Sequence, residues 1–212
     1  MPKENYDRIM QQEIAVLCRD RVPRLLLHSC CGPCSSAVLE KLCPFFDVTV
    51  YYYDPNIHPR EEYDRRAREQ ARLLEEMRPA GKQVGLIAAE WDAENWFSLT
   101  RGLEDEKEGG RRCEVCFEMR LMKTAEAALR GGFDLFTTTL TVSPHKDPDK
   151  VNAAGFRAEK ATGARYLPSD FKKRNGYLRS LRLSAEYSLY RQNYCGCVYS
   201  MRKDSGFPES DK

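Results

Sequence analysis

Apolar and polar positions along this chain fall into blocks that switch repeatedly between a strand period and a helix period. Arg24–Ser29 (RLLLHS) is a short apolar run that suits a buried strand. Asp47–Tyr53 (DVTVYYY) is rich in β-branched and aromatic residues and predicts a second strand. Val84–Ala89 (VGLIAA) and Asp134–Leu140 (DLFTTTL) predict a third and a fourth, and Arg165–Leu167 a short fifth. Helical spacing takes over between them, over 5–20, 35–42, 61–77, 96–101, 116–130, 148–162 and 178–190. In the stretch 116–130, Met119, Leu121, Met122, Ala125 and Leu129 recur at core spacing before the stop at Gly131-Gly132.

Strand and helix alternating in this way imply right-handed crossovers and a mainly parallel α/β sheet of about four to five strands, covered on both faces. Ligands in such sheets collect beyond the carboxyl ends of the strands. Three loops fall there: Cys30–Cys34 after the first strand, DPNIHP after the second, and SPHKD after the fourth. Their shared position makes them one candidate site.

The length of 212 residues, with 42% hydrophobic and 31% charged residues, predicts one globular domain over 1–212 with a sizeable core. No apolar run is long enough for a bilayer, and the start (MPKENYDRIMQQEIAV) lacks the layout of an export signal, so the cytoplasm is the expected location. A net charge of +2 does not by itself argue for nucleic acid. Its distribution says more: Lys172, Lys173, Arg174, Arg179 and Arg182 occur in a stretch without an acidic residue. That stretch reads either as a phosphate-facing surface or as a solvated helix face.

Cysteine usage changes the picture most. Seven of nine cysteines form three tight sets: Cys30, Cys31 and Cys34 in HSCCGPCSS, Cys113 and Cys116 in RRCEVCFEM, and Cys195 and Cys197 in NYCGCVYS. In a reducing compartment dense thiols point to metal or redox chemistry rather than to structural staples. Four thiolates complete a tetrahedral zinc or an iron–sulfur cluster, and three grouped cysteines are then left over. Cys30, Cys31, Cys113 and Cys116 together supply the four thiolates of a [4Fe–4S] cluster. Cys195-Gly196-Cys197 can oxidise to a strained, labile bridge or grip a soft metal, and one of its sulfurs can instead replace Cys30 or Cys31 as a cluster ligand. Cys34 can join either group. Cys18 and Cys43 stand alone and are assigned to core packing. Among the histidines, His28 reads as a core residue, His58 as a turn or cap residue, and His145 as either a site residue or a loop residue.

The motifs HSCCGPCSS, YYYDPNIHPREEY, CEVCFEMRL, TTTLTVSPHKD and SLYRQNYCGCVYS, in this order, resemble the epoxyqueuosine reductases of the QueH type. The resemblance covers residues 24–200 as a catalytic core and leaves 1–22 as an N-terminal helical extension. It implies a Rossmann-like three-layer αβα fold of the adenine nucleotide hydrolase type, without the glycine-rich loop that would bind ATP. The implied reaction is the last step of queuosine biosynthesis, the two-electron deoxygenation of epoxyqueuosine at the tRNA wobble position to give queuosine. The resemblance maps Cys30, Cys31, Cys113 and Cys116 onto [4Fe–4S] ligands, and Cys195 and Cys197 onto a second, redox-active pair near an additional mononuclear iron. Family members differ at position 34, some carrying Asp, and either side chain binds iron, so Cys34 is a candidate ligand of that extra metal.

Implied partners are a tRNA anticodon loop carrying epoxyqueuosine and an external electron donor such as ferredoxin or flavodoxin. Arg111, Arg112 and the stretch 172–182 are candidate phosphate contacts, with Tyr177 as a stacking residue. Proton donors to consider are His28, Asp54, His145 or water. Two other readings compete: an RNA-binding protein with structural zinc and no catalysis, and a thiol–disulfide oxidoreductase using Cys195 and Cys197 alone.

Overall fold

The computed structural model describes residues 4–203; the domain expected over 1–212 extends past them at both ends. Four strands, β1 (Arg24–Ser29), β2 (Asp47–Tyr52), β3 (Gly85–Ala88) and β4 (Leu135–Thr138), form a parallel sheet in the order β3-β2-β1-β4. Seven helices are present among the described residues: α1 (Tyr6–Leu17), α2 (Gly32–Leu42), α3 (Arg60–Glu76), α4 (Ala93–Thr100), α5 (Arg111–Arg130), α6 (Pro148–Thr162) and α7 (Gly176–Glu186).

Period-two alternation in the central strand builds three layers. Leu25 and Leu27 pack with Val48, Val50, Met10, Ile14, Val38 and Leu42 beneath α1 and α2, while Leu26 faces the other way, with Leu121, Ala125, Phe136 and Ala154 beneath α5 and α6. Cys43 lies in the first of these cores and Cys18 packs against it, as expected of packing residues. Burial pushes the Cys43 thiol up to about 11, which keeps it protonated and inert. The outer strand β3 is different: all four of its residues are exposed, Leu86 and Ile87 included.

Three elements depart from expectation for identifiable reasons. The fourth strand ends at Thr138, because its Oγ1 accepts from the Leu140 amide at 3.1 Å and turns the chain into a 3-10 segment, Thr139–Val142. The fifth strand is a single parallel bridge, Phe136 to Tyr166, since Pro168 follows directly and has no N–H to continue a ladder. Helix α5 starts at Arg111, ahead of the expected Cys116, so Cys113 and Cys116 lie together in its first turns.

The basic stretch 172–182 is largely neutralised from within. Arg174 and Lys41 hold the two carboxylate oxygens of Asp7 at 2.8 and 2.7 Å, Lys172 pairs with Asp170 at 3.0 Å, and Arg179 grips Glu40 with two bonds of 2.6 and 2.8 Å. Of the expected phosphate contacts, Arg111, Lys173 and Arg182 keep exposed side chains without an ion pair among the described residues. Burial alone would raise the Asp7 carboxyl, but Lys41 and Arg174 outweigh it and hold it below its usual value. A depressed carboxyl contributes stability that is present above its unfolded value, about 4, and is lost as pH falls through the folded one. Asp7→Ala is therefore expected to cost about 1.5–3 kcal/mol at neutral pH, measured by urea unfolding, with the gap to wild type closing below about pH 4.

Candidate metal centre

The first cysteine loop leaves β1 and enters α2, whose N-cap is Cys31. Beneath it, Ser29 and Ser35 both donate to Oε1 of Gln70 on α3, at 2.9 and 2.6 Å, and Ser35 Oγ lies 3.0 Å from the Cys31 carbonyl. This anchoring brings the sulfurs of Cys30, Cys31 and Cys34 within 4.8 Å of one another, the Cys30–Cys31 pair at 3.8 Å. Hydrogen bonds from Cys30 and Cys34 hold the Cys31 thiol well below the usual range, and the same contacts push Cys34 well above it. The α2 N-terminus beside these sulfurs favours negative charge on them.

The other four sulfurs meet at a second point. Cys113, Cys116, Cys195 and Cys197 line one small cavity with Trp96, Arg120 and Lys146. Burial pushes the Cys116 thiol up to about 12, with the sulfurs of Cys195, Cys113 and Cys197 adding to the effect and Arg120 opposing it. Burial likewise raises Cys113 and Cys197. Sulfur at Cys113 accepts from the Gly109 amide at 3.2 Å. All nine cysteines are free thiols. A dense set of buried thiols that resist ionisation is poorly suited to remain bare, and a soft cation supplies the missing charge. Together with the triad they make seven sulfur donors, which fit iron–sulfur and iron binding by number and by softness.

Segment 193–197 is clamped from below. Arg66, itself buried and paired with Glu62 at 2.6 Å, donates to the Cys195 carbonyl at 3.2 Å. Tyr194 donates its hydroxyl proton to the His58 carbonyl at 2.9 Å, and the His58 amide donates to the Gly196 carbonyl at 2.9 Å. Gly196 has φ of 101°, and a Cβ there would stand 2.9 Å from Ile57 Cγ1 and 3.0 Å from Arg66 Nη1. Only glycine fits. His58 is thus the expected turn residue, with its ring 4.7 Å from that of Phe97.

Above the sulfurs lies a cavity of about 400 Å³, lined by Cys30, Cys34, Cys195, Tyr177, Tyr194 and Gln192 among others. This volume suits a nucleoside-sized ligand. Lys146 lines both cavities, and its Nζ lies 3.4 Å from Cys195 Sγ. Burial alone would lower Lys146, but the facing sulfurs of Cys195 and Cys30 outweigh it and keep the ammonium charged. His145 lines both cavities too, whereas His28 and Asp54 line neither. Those two are held by Arg120, which binds Asp54 Oδ1 through Nη2 and donates from Nε to His28 Nε2 at 3.2 Å. His28 Nε2 also lies 3.3 Å from the Tyr53 carbonyl, and its Nδ1 lies 2.8 Å from Thr138 Oγ1. Arg112 is no phosphate contact: it is buried and donates to the carbonyls of Leu103 and Glu104 at 2.8 and 3.0 Å.

A model of the family described as epoxyqueuosine reductase QueH matches residues 25–203. The chain belongs to the QueH family. A relative from Streptococcus pyogenes serotype M1, named epoxyqueuosine reductase QueH, is 47% identical over 202 residues, covering 94% of this chain and 79% of that protein. Relatives of the same name from Staphylococcus epidermidis and Thermotoga maritima are 42% and 33% identical, covering 95% and 84% of this chain and 86% and 90% of theirs. Family membership agrees with the motif resemblance, and the expected α/β fold with a parallel sheet is the one observed. Sequence reasoning missed Arg120, Lys146, Arg66 and Gln192. Arg120 follows Cys116 by four residues on one helix face, and Lys146 follows His145 in SPHKD, so both carried a positional signal.

Proposed function

We propose that this oxidoreductase deoxygenates epoxyqueuosine in tRNA, taking two electrons and two protons, expelling water and leaving queuosine. One observation carries the reading: seven thiols from three distant segments converge beside a nucleoside-sized cavity at the carboxyl end of the sheet. Side chains have no such electrons to give. When bound, an iron–sulfur cluster supplies single electrons, and a neighbouring iron supplies a Lewis-acidic contact for oxygen.

The sulfurs divide most simply as two sets. Cys113, Cys116, Cys195 and Cys197 hold the cluster, and Cys30, Cys31 and Cys34 hold the additional iron. This differs from the expected ligand set of Cys30, Cys31, Cys113 and Cys116 and leaves Cys195 and Cys197 as ligands rather than as a redox-active disulfide. Its support is the common cavity of the four and the tight grouping of the three. The chain's own side chains do the rest. Tyr177 and Tyr194 offer faces for a base splayed from the anticodon loop, where bases are already unstacked. His145 and Lys146 stand where a proton is needed, and Lys146 balances sulfur charge.

Iron and acid-labile sulfide analysis of protein purified without oxygen tests this. The wild type should be brown; a colourless zinc protein would favour the RNA-binding alternative. Cys113→Ser and Cys116→Ser should lose cluster absorption and turnover together, and turnover that survived without the cluster would end the proposal. Cys197→Ser should lose sulfide while Cys31→Ser keeps it. The reverse outcome would restore the expected ligand set.

A further inference from the structure

One side chain bridges the substrate cavity and the cysteine triad. Gln192 lies three residues ahead of Cys195 and lines the 400 Å³ cavity. Its Nε2 donates to Cys31 Sγ at 3.2 Å. Cys31 is 1% exposed and does not line the cavity itself. At the other end of the same amide, Oε1 is buried and has no hydrogen-bond partner among the protein atoms. The orientation of the amide follows from charge. The Cys30 and Cys34 sulfurs stand within 4.8 Å of Cys31 Sγ, and an amide set against such a cluster of electron-rich atoms turns its N–H toward them and its carbonyl oxygen away. A buried carbonyl oxygen left without a donor is uncommon in folded proteins and points to a partner that arrives later.

We propose that Gln192 is a two-ended positioning residue: its N–H holds the Cys31 sulfur, and its Oε1 accepts from a hydroxyl or ammonium group of the ligand in the cavity. Occupancy of the cavity is thereby felt at the triad. The proposal rests on the reading of the triad as a metal site. A hydrogen bond to a ligating sulfur withdraws electron density and tunes the metal, and losing such a partner weakens metal affinity. A donor on Oε1 polarises the amide and strengthens its N–H bond to sulfur, since hydrogen bonds in a chain reinforce one another.

The test uses cobalt(II) as a spectroscopic probe in the anaerobically purified protein, read as the difference spectrum on cobalt addition. The wild type, Gln192→Leu and Gln192→Glu are compared, with folding followed by circular dichroism. Both substitutions should move the thiolate-to-cobalt band to lower energy and weaken cobalt binding by about 10-fold to 100-fold. Should the leucine variant fail to fold, the near-isosteric glutamate variant, which has no donor for sulfur, carries the test. Saturating the wild type with an anticodon stem-loop RNA carrying queuosine should shift the band, and the variants should not respond. Unchanged band position and affinity in the folded variants, or a wild-type band indifferent to the bound RNA, would overturn the proposal. A wild type with no thiolate band, or one whose band survives Cys34→Ser unaltered, would bring down the triad reading first and this proposal with it.

Discussion

Arg120→Met is expected to destabilise the protein by about 3–5 kcal/mol, the usual cost of removing one partner from a buried ion pair. Arg120 and Asp54 are 1% and 0% exposed, and Asp54 Oδ2 already lacks a protein partner. Without the guanidinium the buried carboxylate loses the cation on Oδ1 and faces only the His28 ring, whose Nε2 is 3.7 Å away. The same change removes the donor that fixes His28 and the cation that faces Cys116. Urea unfolding measures the effect. Adding Asp54→Asn should recover part of the loss, because the second substitution removes the stranded charge. A single variant as stable as wild type would show that the pair is dispensable.

Gly196→Ala is expected to have the larger effect on the metal centre. The residue sits at a φ where a side chain is strained, and the added methyl meets Ile57 and Arg66 at distances that real Cβ atoms rarely tolerate. Arg66 cannot give way without releasing both Glu62 and the Cys195 carbonyl. The segment must therefore shift, carrying Cys195 and Cys197 away from Cys113 and Cys116. Iron and sulfide per chain should fall by most of their wild-type value while far-ultraviolet circular dichroism stays unchanged, since 193–197 lies outside the sheet and helices. Full iron occupancy in the alanine variant would separate these two cysteines from the cluster.

Much of this architecture was legible in the residues alone, and the exceptions are physical. Strands β1 and β2 announced themselves because fully buried parallel strands need unbroken apolar or β-branched runs. The false fifth strand had that composition too, but composition does not report that Pro168 ends the ladder. All seven cysteines of the three sets were visible, whereas which of them line one cavity was not. Spacing reveals which sulfurs share a loop, and only the crossing of α5 with the 193–197 segment decides which sulfurs share a cavity. The basic stretch shows the same limit: Asp7 and Glu40, which engage Arg174 and Arg179, come from α1 and α2. Local sequence shows a charge but not its distant counter-charge. Gln192 lay in the open, three residues from a marked cysteine, yet nothing about a glutamine signals that it reaches a sulfur two segments away.

The exposed outer strand carries a consequence for how copies of this chain behave at high concentration. Among the described residues no strand pairs with its outer rim, which lies beside exposed Leu86 and Ile87, the combination that invites another sheet to add on. Its shortness is the safeguard, since four residues offer too few bonds to hold a second chain in register. Substitutions that lengthened it, by extending pairing back through Lys82 and Gln83, would trade that protection for edge-to-edge growth.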